Sequence, residues 1–199
     1  MRKEGKMGRF DEVILATGNA GKVAELKPML AGWNVLGMAK FGAKSPIEDG
    51  GSLVANARIK ARALLGKVGK REKCLILADD TGLEVDALDG APGVETAHFG
   101  GWRVLLERLV SVQKPLRTAR FRCVVMVVDA ASGEERIFEG VCEGRIAEQA
   151  RGEQGFGYDP VFIPEGYDTT FAEMGVEKKE TLSHRGKAMG QFLAWAKAL

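Results

Sequence analysis

The sequence has little of what would place it outside the ordinary globular classes. Its 199 residues hold only three cysteines, Cys74, Cys123 and Cys142, isolated and odd in number. None stands in a C-x-x-C or Cys/His spacing, so neither a disulfide framework nor a zinc site is supported, and a reducing compartment fits best. No apolar run approaches the about 18 residues of a membrane span. Residues 1–9 are basic but lack the apolar stretch of a signal peptide, and they read as a loose, flexible tail. Excess charge of one sign is missing too. The 29 Lys and Arg stand against 27 Asp and Glu, a formal net charge of +2. That is too small for a general nucleic-acid surface, so any basic function has to come from locally gathered side chains.

What is present is an ordinary core composition, 45% hydrophobic and 28% charged. Residues 10–199 suit one domain, or one domain with two lobes, and there is no internal repeat or low-complexity linker. Val13–Ala16 is a short apolar run stopped by Thr17-Gly18-Asn19, the pattern of a buried strand and a turn. Residues 21–27 look helical, and Pro28 should end or kink that helix. Asn34–Met38 reads as a second strand. Ser52 can cap a helix running to about Leu65. Cys74–Ala78 reads as a buried strand that delivers Asp79-Asp80-Thr81-Gly82 at its end, and Leu83–Leu88 alternates as a half-buried strand does. A turn at Ala91-Pro92-Gly93 precedes a short helix, Val104–Val112. Thr118–Val128 and Glu134–Ile146 form a long hairpin across Ser132-Gly133. Residues 151–170 read as ordered loop, and Arg185–Leu199 as a helix. Helices and strands that alternate early, followed by a hairpin, give an α/β fold with a mixed sheet.

Four segments carry residues that a core does not need. Thr17-Gly18-Asn19-Ala20-Gly21-Lys22 joins a strand to a helix. Exposed N–H groups, a helix N-terminus and a lysine favour phosphate, although Val23 rules out a Walker A loop. A plain strand-to-helix turn explains the same residues equally well. Asp79-Asp80-Thr81-Gly82 sets two carboxylates at a buried strand end. They would repel and lose hydration, and a divalent cation would compensate; Asp-Thr-Gly is also a common turn, an alternative of real weight. Glu48-Asp49-Gly50-Gly51 adds acid before a helix, where the macrodipole already welcomes it.

Gly155-Phe156-Gly157-Tyr158-Asp159-Pro160 holds an aromatic between glycines. It suits a platform on which a base stacks, or a turn whose Phe folds into the core. Ser183-His184-Arg185-Gly186-Lys187 places three potential cations in the first turn of the last helix, with Lys178 and Lys179 nearby. The macrodipole disfavours positive charge there, and a broken local rule of this kind often marks function. Taken together, the residues describe a nucleotide site with metal-assisted hydrolysis.

At these residues the sequence resembles the Ham1/inosine-triphosphatase family of dITP/XTP pyrophosphatases. The matching blocks are ATGNAGKVAEL (16–26), E-x-G-x-S-x-x-x-NA-x-x-KA (48–61), ADDTGLEVDALDGAPGV (78–94), ARF (119–121), GFGYDPVF (155–162), and AE followed by EKK-x-x-x-SHRGKA (172–188). They follow the family's order and span nearly the whole chain.

The resemblance implies an elongated α/β fold with a central mixed sheet, two lobes and a substrate cleft between them, usually as a homodimer in the cytoplasm. It implies hydrolysis of ITP, dITP and XTP to the monophosphate and pyrophosphate with Mg²⁺; the small net charge and the lack of a long apolar run speak for no nucleic-acid or membrane partner. By similarity, Thr17, Gly18, Asn19, Ala20, Gly21 and Lys22 hold phosphate, and Lys60 is a further phosphate-side lysine. Asp80 is the general base and a metal ligand, and Glu48 is the second carboxylate at the metal. Thr81 touches substrate. Phe156, Gly157, Tyr158, Asp159, Lys179, His184 and Arg185 match contacts to the base and sugar.

Hypoxanthine and xanthine carry a 6-keto acceptor where adenine carries an amino donor, so a pocket of donors suits them and rejects adenine. The chain departs from the family pattern at Ala55, at Thr96-Ala97-His98, and in a segment after Gly101 that is shorter than usual. Two other readings remain open: a Maf-type pyrophosphatase acting on pyrimidine nucleotides, and a nucleotide-binding protein with weak catalysis.

Overall fold

The computed structural model describes residues 9–199. The expected tail falls outside these residues except for Arg9, whose guanidinium lies 3.4 Å from Asp129. The strands are β1 (Glu12–Leu15), β2 (Asn34–Gly37), β3 (Cys74–Val85), β4 (Pro92–Gly93), β5 (Thr118–Asp129), β6 (Glu135–Ile146) and β7 (Phe162–Pro164). The helices are α1 (Ala20–Met29), α2 (Leu53–Val68), α3 (Gly101–Arg108), α4 (Val176–Leu182) and α5 (His184–Lys197). The strands form one sheet in the order β2-β1-β3-β5-β6-β7, with β4 on β3. β1 runs parallel to β2 and β3, whereas β4 on β3 and β7 on β6 are antiparallel, so the sheet is mixed as expected. None of the helices among the described residues is long and apolar enough to cross a membrane.

Two compact units divide the chain. The first comprises the described residues up to Asp80, with Val125–Phe138 and Met189–Leu199. Its parallel strands β1 and the first half of β3 are buried almost from end to end, which is why both read as unbroken apolar runs rather than alternating ones. Phe138, Phe192 and Trp195 pack together with ring centroids 5.7–6.1 Å apart, an aromatic cluster that anchors the last helix to β6.

The second unit comprises Thr81–Val124 and Glu139–Ala188. Its core gathers Leu83, Val85, Leu105, Phe121, Tyr158, Phe162 and Phe171. Burial pushes the Cys142 thiol of this unit up to about 11, and the Cys74 thiol of the first unit up to about 12. Both therefore stay protonated and act as small apolar residues.

Several boundaries differ from those the sequence suggests. Pro28 does not end α1. It sits in the last turn, and Leu30 still donates to the Leu26 carbonyl. α2 runs on to Val68 and stops where Gly69 turns to φ 71°. The short helix starts earlier than Val104 and ends at Arg108. Residues 151–170 contain β7, because Phe162–Pro164 pairs with Gly144–Ile146. α4 was not apparent in the sequence. It is short and mostly exposed, and so lacks an apolar stripe.

The largest departure is at Asp79–Gly82, which is no turn. β3 passes through it unbroken and continues to Val85.

Arg117 is a structural cation of the second unit, only 5% exposed. It donates to the carbonyls of Leu109 (2.7 Å), Val112 (2.9 Å) and Ala147 (3.1 Å) and so ties the end of α3 to the chain after β6. Arg117→Met leaves these acceptors short of donors and should lower unfolding free energy by about 3 kcal/mol. Denaturant unfolding measures this, and a loss below about 1 kcal/mol would mean that other groups or water satisfy the carbonyls.

Candidate active site

In a strand, consecutive side chains point to opposite faces. The unbroken β3 therefore separates the two carboxylates that the sequence seemed to pair. Asp79 is fully buried and meets Lys22 of α1, with Nζ 3.2 Å from Oδ2 and 3.3 Å from the Asp79 carbonyl. Asp80 instead meets Lys60 of α2, whose Nζ donates to its Oδ1 at 2.6 Å. The same ammonium donates to Glu48 Oε2 at 2.9 Å. The carboxylate pair that forms is thus Asp80 with Glu48, drawn together by one cation.

Glu48 reaches that place because its loop is pinned to α2. Ser52 caps the helix by accepting from the Ala55 N–H at 3.2 Å. Asn56, buried within the helix, accepts from the Gly50 N–H at 2.9 Å. At Gly50 the backbone lies so close that a Cβ would stand 2.6 Å from the Ala55 Cβ, so only glycine fits. Asn56 is a site-building residue that sequence reasoning passed over. Its signal was a polar side chain at a core position of a helix.

Burial draws the Lys60 pKa down, but Asp80, Asp79 and Glu48 outweigh it and hold the ammonium above its usual range. Burial also raises the Asp80 carboxyl, and Glu48 adds to the rise, against the pull of Lys60 and Lys22; the net direction is up. A buried carboxylate held this way is suited to take up a proton.

Among the described residues no group of three or more His, Cys, Asp and Glu side chains is arranged to hold a metal ion. Two convergent carboxylates already holding a cation are nevertheless a fitting donor set for Mg²⁺. That ion commonly uses one or two protein carboxylates and completes its shell with water and substrate phosphate.

The segment expected to receive phosphate is the loop before α1 and the first turn of that helix. Gly18, Asn19 and Ala20 are exposed. Asn19 caps α1 by accepting from the Lys22 N–H at 3.1 Å, and Thr17 Oγ1 accepts from the Asn19 N–H at 3.2 Å. Gly21 lies half-buried in the first turn. The Lys22 ammonium is turned inward onto Asp79.

The second unit holds the expected base-side residues. Phe156 is half-buried, with Lys179 Nζ 5.2 Å and Arg185 Cζ 5.8 Å from its ring centroid. Asp159 fixes this loop, accepting from the Phe156 N–H at 2.8 Å and from Lys179 Nζ at 2.5 Å. Gly157 is exposed. Arg185 is only 2% exposed and donates to Thr81 Oγ1 at 3.1 Å. His184 stacks on Phe121. Tyr158 is the exception to the expected set. Its ring lies in the core and its hydroxyl donates to the Thr96 carbonyl at 3.1 Å, so the side chain braces the fold instead of projecting from the loop. Phe121 was part of a matched block, yet the sequence attached no role to it.

Across residues 13–195 the chain matches the Ham1 family pattern. It belongs to the Ham1 family. The dITP/XTP pyrophosphatase of Thermus thermophilus is 46% identical over 196 residues, covering 94% of this chain and 92% of that protein. That of Desulforamulus reducens is 44% identical over 189 residues, covering 89% and 92%. Among solved structures, a HAM1 protein from Coxiella burnetii superposes with a TM-score of 0.84 at 33% identity, covering 96% of this chain and all of that one. The Staphylococcus aureus Ham1 protein gives 0.79 at 32% identity, covering 94% and 99%. The shared fold includes the mixed sheet flanked by helices. The departure at Thr96-Ala97-His98 falls in a short helical turn that ends at an exposed His98, and Gly101 leads directly into α3.

Lys60 generates a test with a definite sign. Because the folded-state pKa of Asp80 is raised, the folded protein keeps that proton to a higher pH than the unfolded chain does, and Asp80 costs stability once ionised. Lys60→Met removes the compensating cation and should cost about 3 kcal/mol at neutral pH. The loss should shrink as the pH is lowered and Asp80 takes up its proton. Denaturant unfolding at several pH values measures it, and a loss that grows toward acid would contradict the assignment.

Proposed function

We propose that the chain hydrolyses the non-canonical purine nucleoside triphosphates ITP, dITP and XTP to the monophosphate and pyrophosphate, and so clears them from the nucleotide pool. The observation that carries this reading is the convergence of Glu48 and Asp80 on one buried cation, in a chain of the Ham1 family whose curated relatives are dITP/XTP pyrophosphatases.

Glu48 and Asp80 would hold Mg²⁺ that arrives with the triphosphate. When bound, the ion supplies charge neutralisation and a more acidic water. The chain's own residues do the rest. The loop Gly18–Gly21 and the N-terminus of α1 receive phosphate oxygens. Lys22 and Lys60 are each within reach of a carboxylate, and each can pass to a phosphate oxygen when the triphosphate brings its own cation. Asp80 takes the proton of the attacking water. Such chemistry relies on positioning and charge stabilisation more than on covalent catalysis.

At the other end of the nucleotide, Phe156 offers its ring face to the base. Lys179, His184 and Arg185 offer donors to the 6-keto oxygen, and Thr81 and Asp159 hold those donors in place. Adenine, with a donor at that position, would leave them facing another donor. The two-lobed form with a substrate cleft, a homodimer and a cytoplasmic location belong to the same proposal. Three buried cysteines held as thiols support the last.

A panel of nucleoside triphosphates with separate detection of pyrophosphate and orthophosphate tests this. Pyrophosphate should appear from ITP, dITP and XTP with Mg²⁺, and chelation should abolish it. Asp80→Asn should lower kcat at least about a hundredfold. Stepwise orthophosphate release would refute the bond assignment, a preference for pyrimidine nucleotides would favour the Maf-type reading, and tight ITP binding without turnover would leave a binding protein.

A further inference from the structure

His184 is only 3% exposed, and its ring lies nearly parallel to that of Phe121, with centroids 4.5 Å apart and planes 15° apart. The donors of an imidazole lie in the plane of its ring, so the direction in which it donates follows that plane. The terminal torsion of histidine is broad, and backbone placement alone leaves the plane undetermined.

The backbone here is placed tightly. At Gly140 of β6 any side chain would collide with the His184 carbonyl, and a Cβ would stand 2.7 Å from the Ala188 nitrogen. Ser183 accepts from the Gly186 N–H at 3.0 Å and caps α5. These contacts fix where the His184 backbone stands. The Phe121 face lies flat against its ring.

Phe121 is itself immobilised. It is 5% exposed, with the Phe162 centroid 4.7 Å away and the Phe171 centroid 6.3 Å away. Phe171 in turn lies 5.5 Å from Lys179 Nζ. One aromatic cluster therefore supports two of the donors assigned to the base.

We propose that Phe121 is a positioning residue that sets the plane of His184 and, through it, the preference for a 6-keto over a 6-amino purine. The specificity half rests on the substrate reading above. Phe121 does not touch the nucleotide. It acts by limiting the rotation of the ring that does, so that a donor is aimed before the base arrives. A rigid donor rejects a mismatched partner because it cannot turn away from it.

The chain has only two histidines, His98 and His184, and His98 is exposed. Proton NMR of the full chain thus yields two imidazole Cε1–H signals, one of which is an internal reference. In the wild type the His184 signal should be displaced from the free-imidazole position by the Phe121 ring current. An undisplaced signal would overturn the stack without any variant being made.

Phe121→Leu should remove the displacement, lower kcat/KM for ITP about tenfold through KM, leave kcat/KM for ATP equal or higher, and so narrow the ITP to ATP ratio by at least about that factor. Phe121→Tyr keeps the ring and should retain both signal and ratio. In a His184→Ala background, Phe121→Leu should narrow the ratio no further. A moved signal with an unchanged ratio, or equal losses on ITP and ATP, would reduce Phe121 to core packing and overturn the proposal. A wild-type enzyme indifferent between ITP and ATP would refute the substrate reading, and with it the specificity half, while the displaced signal would still establish the stack.

Discussion

The alternation of side chains along β3 is the constraint on which the candidate site depends. The strand is held by its parallel pairing with β1 in register from Cys74 to Leu77. It then continues through Asp79, Asp80, Thr81 and Gly82 without a break. A turn at these residues would have set two carboxylates side by side in a buried place, where their repulsion works against both. The pleat sends them to opposite faces, and each finds its own lysine on its own helix. Asp79 becomes the partner of Lys22, and Asp80 pairs with Glu48 through Lys60. The separate pairing of two neighbouring carboxylates follows from a period of two.

A second consequence concerns charge. A carboxylate and an ammonium buried from water, Asp80 and Lys60, with Glu48 reaching them from the exposed side, cannot be justified as a device for stability. Burial of ions costs several kcal/mol each, and their attraction does little more than return it. At Asp80 burial prevails and the carboxyl is raised, whereas at Lys60 the carboxylates prevail and the ammonium is held above its usual range. Such an arrangement makes sense if the lysine stands where a stronger cation belongs and keeps the carboxylates converged until one arrives. Asn56 and the close approach at Gly50 serve the same end, since they commit a buried polar side chain and a forced glycine to the placement of one loop. Local rules are broken where function requires it.

How far the sequence could be read follows from the range of the forces involved. β1, β3, the β5–β6 hairpin, α2 and α5 were legible, because apolar runs, alternation and the Ser52 cap are local signals. α4 and β7 were not. α4 carries no apolar stripe, and β7 is three residues long and exists only because Gly144–Ile146 supplies a partner. The extension of β3 was missed for the opposite reason: Asp-Asp-Thr-Gly has strong turn chemistry, and the sheet overrides it. In the site, the residue types were legible and their pairings were not. Tyr158 looked like a ligand contact and serves as a brace on Thr96. Phe121 and Asn56 carried no assigned role and lie against the His184 ring and the Gly50 N–H. Contacts between residues so far apart along the chain, 62 positions in the case of Tyr158 and Thr96, leave no periodicity to read.

The start of α5 shows how a violated local rule resolves. Three potential cations occupy its first turn, where the macrodipole opposes them by up to about 1 kcal/mol each. Only one escapes: Lys187 reaches out to the Val141 carbonyl at the surface. His184 and Arg185 stay inside, one flat against Phe121 and the other on Thr81. Burying a guanidinium so completely beside a helix N-terminus has no advantage for folding that an apolar side chain would not also provide. Thr81, which accepts from that guanidinium, follows Asp80 by one peptide bond. The strand that carries Asp80 therefore also carries the acceptor of the Arg185 guanidinium. A misaligned β3 would disturb the pairing of Asp80 with Lys60 and the bond of Thr81 with Arg185 together, because both hang on the same unbroken pleat.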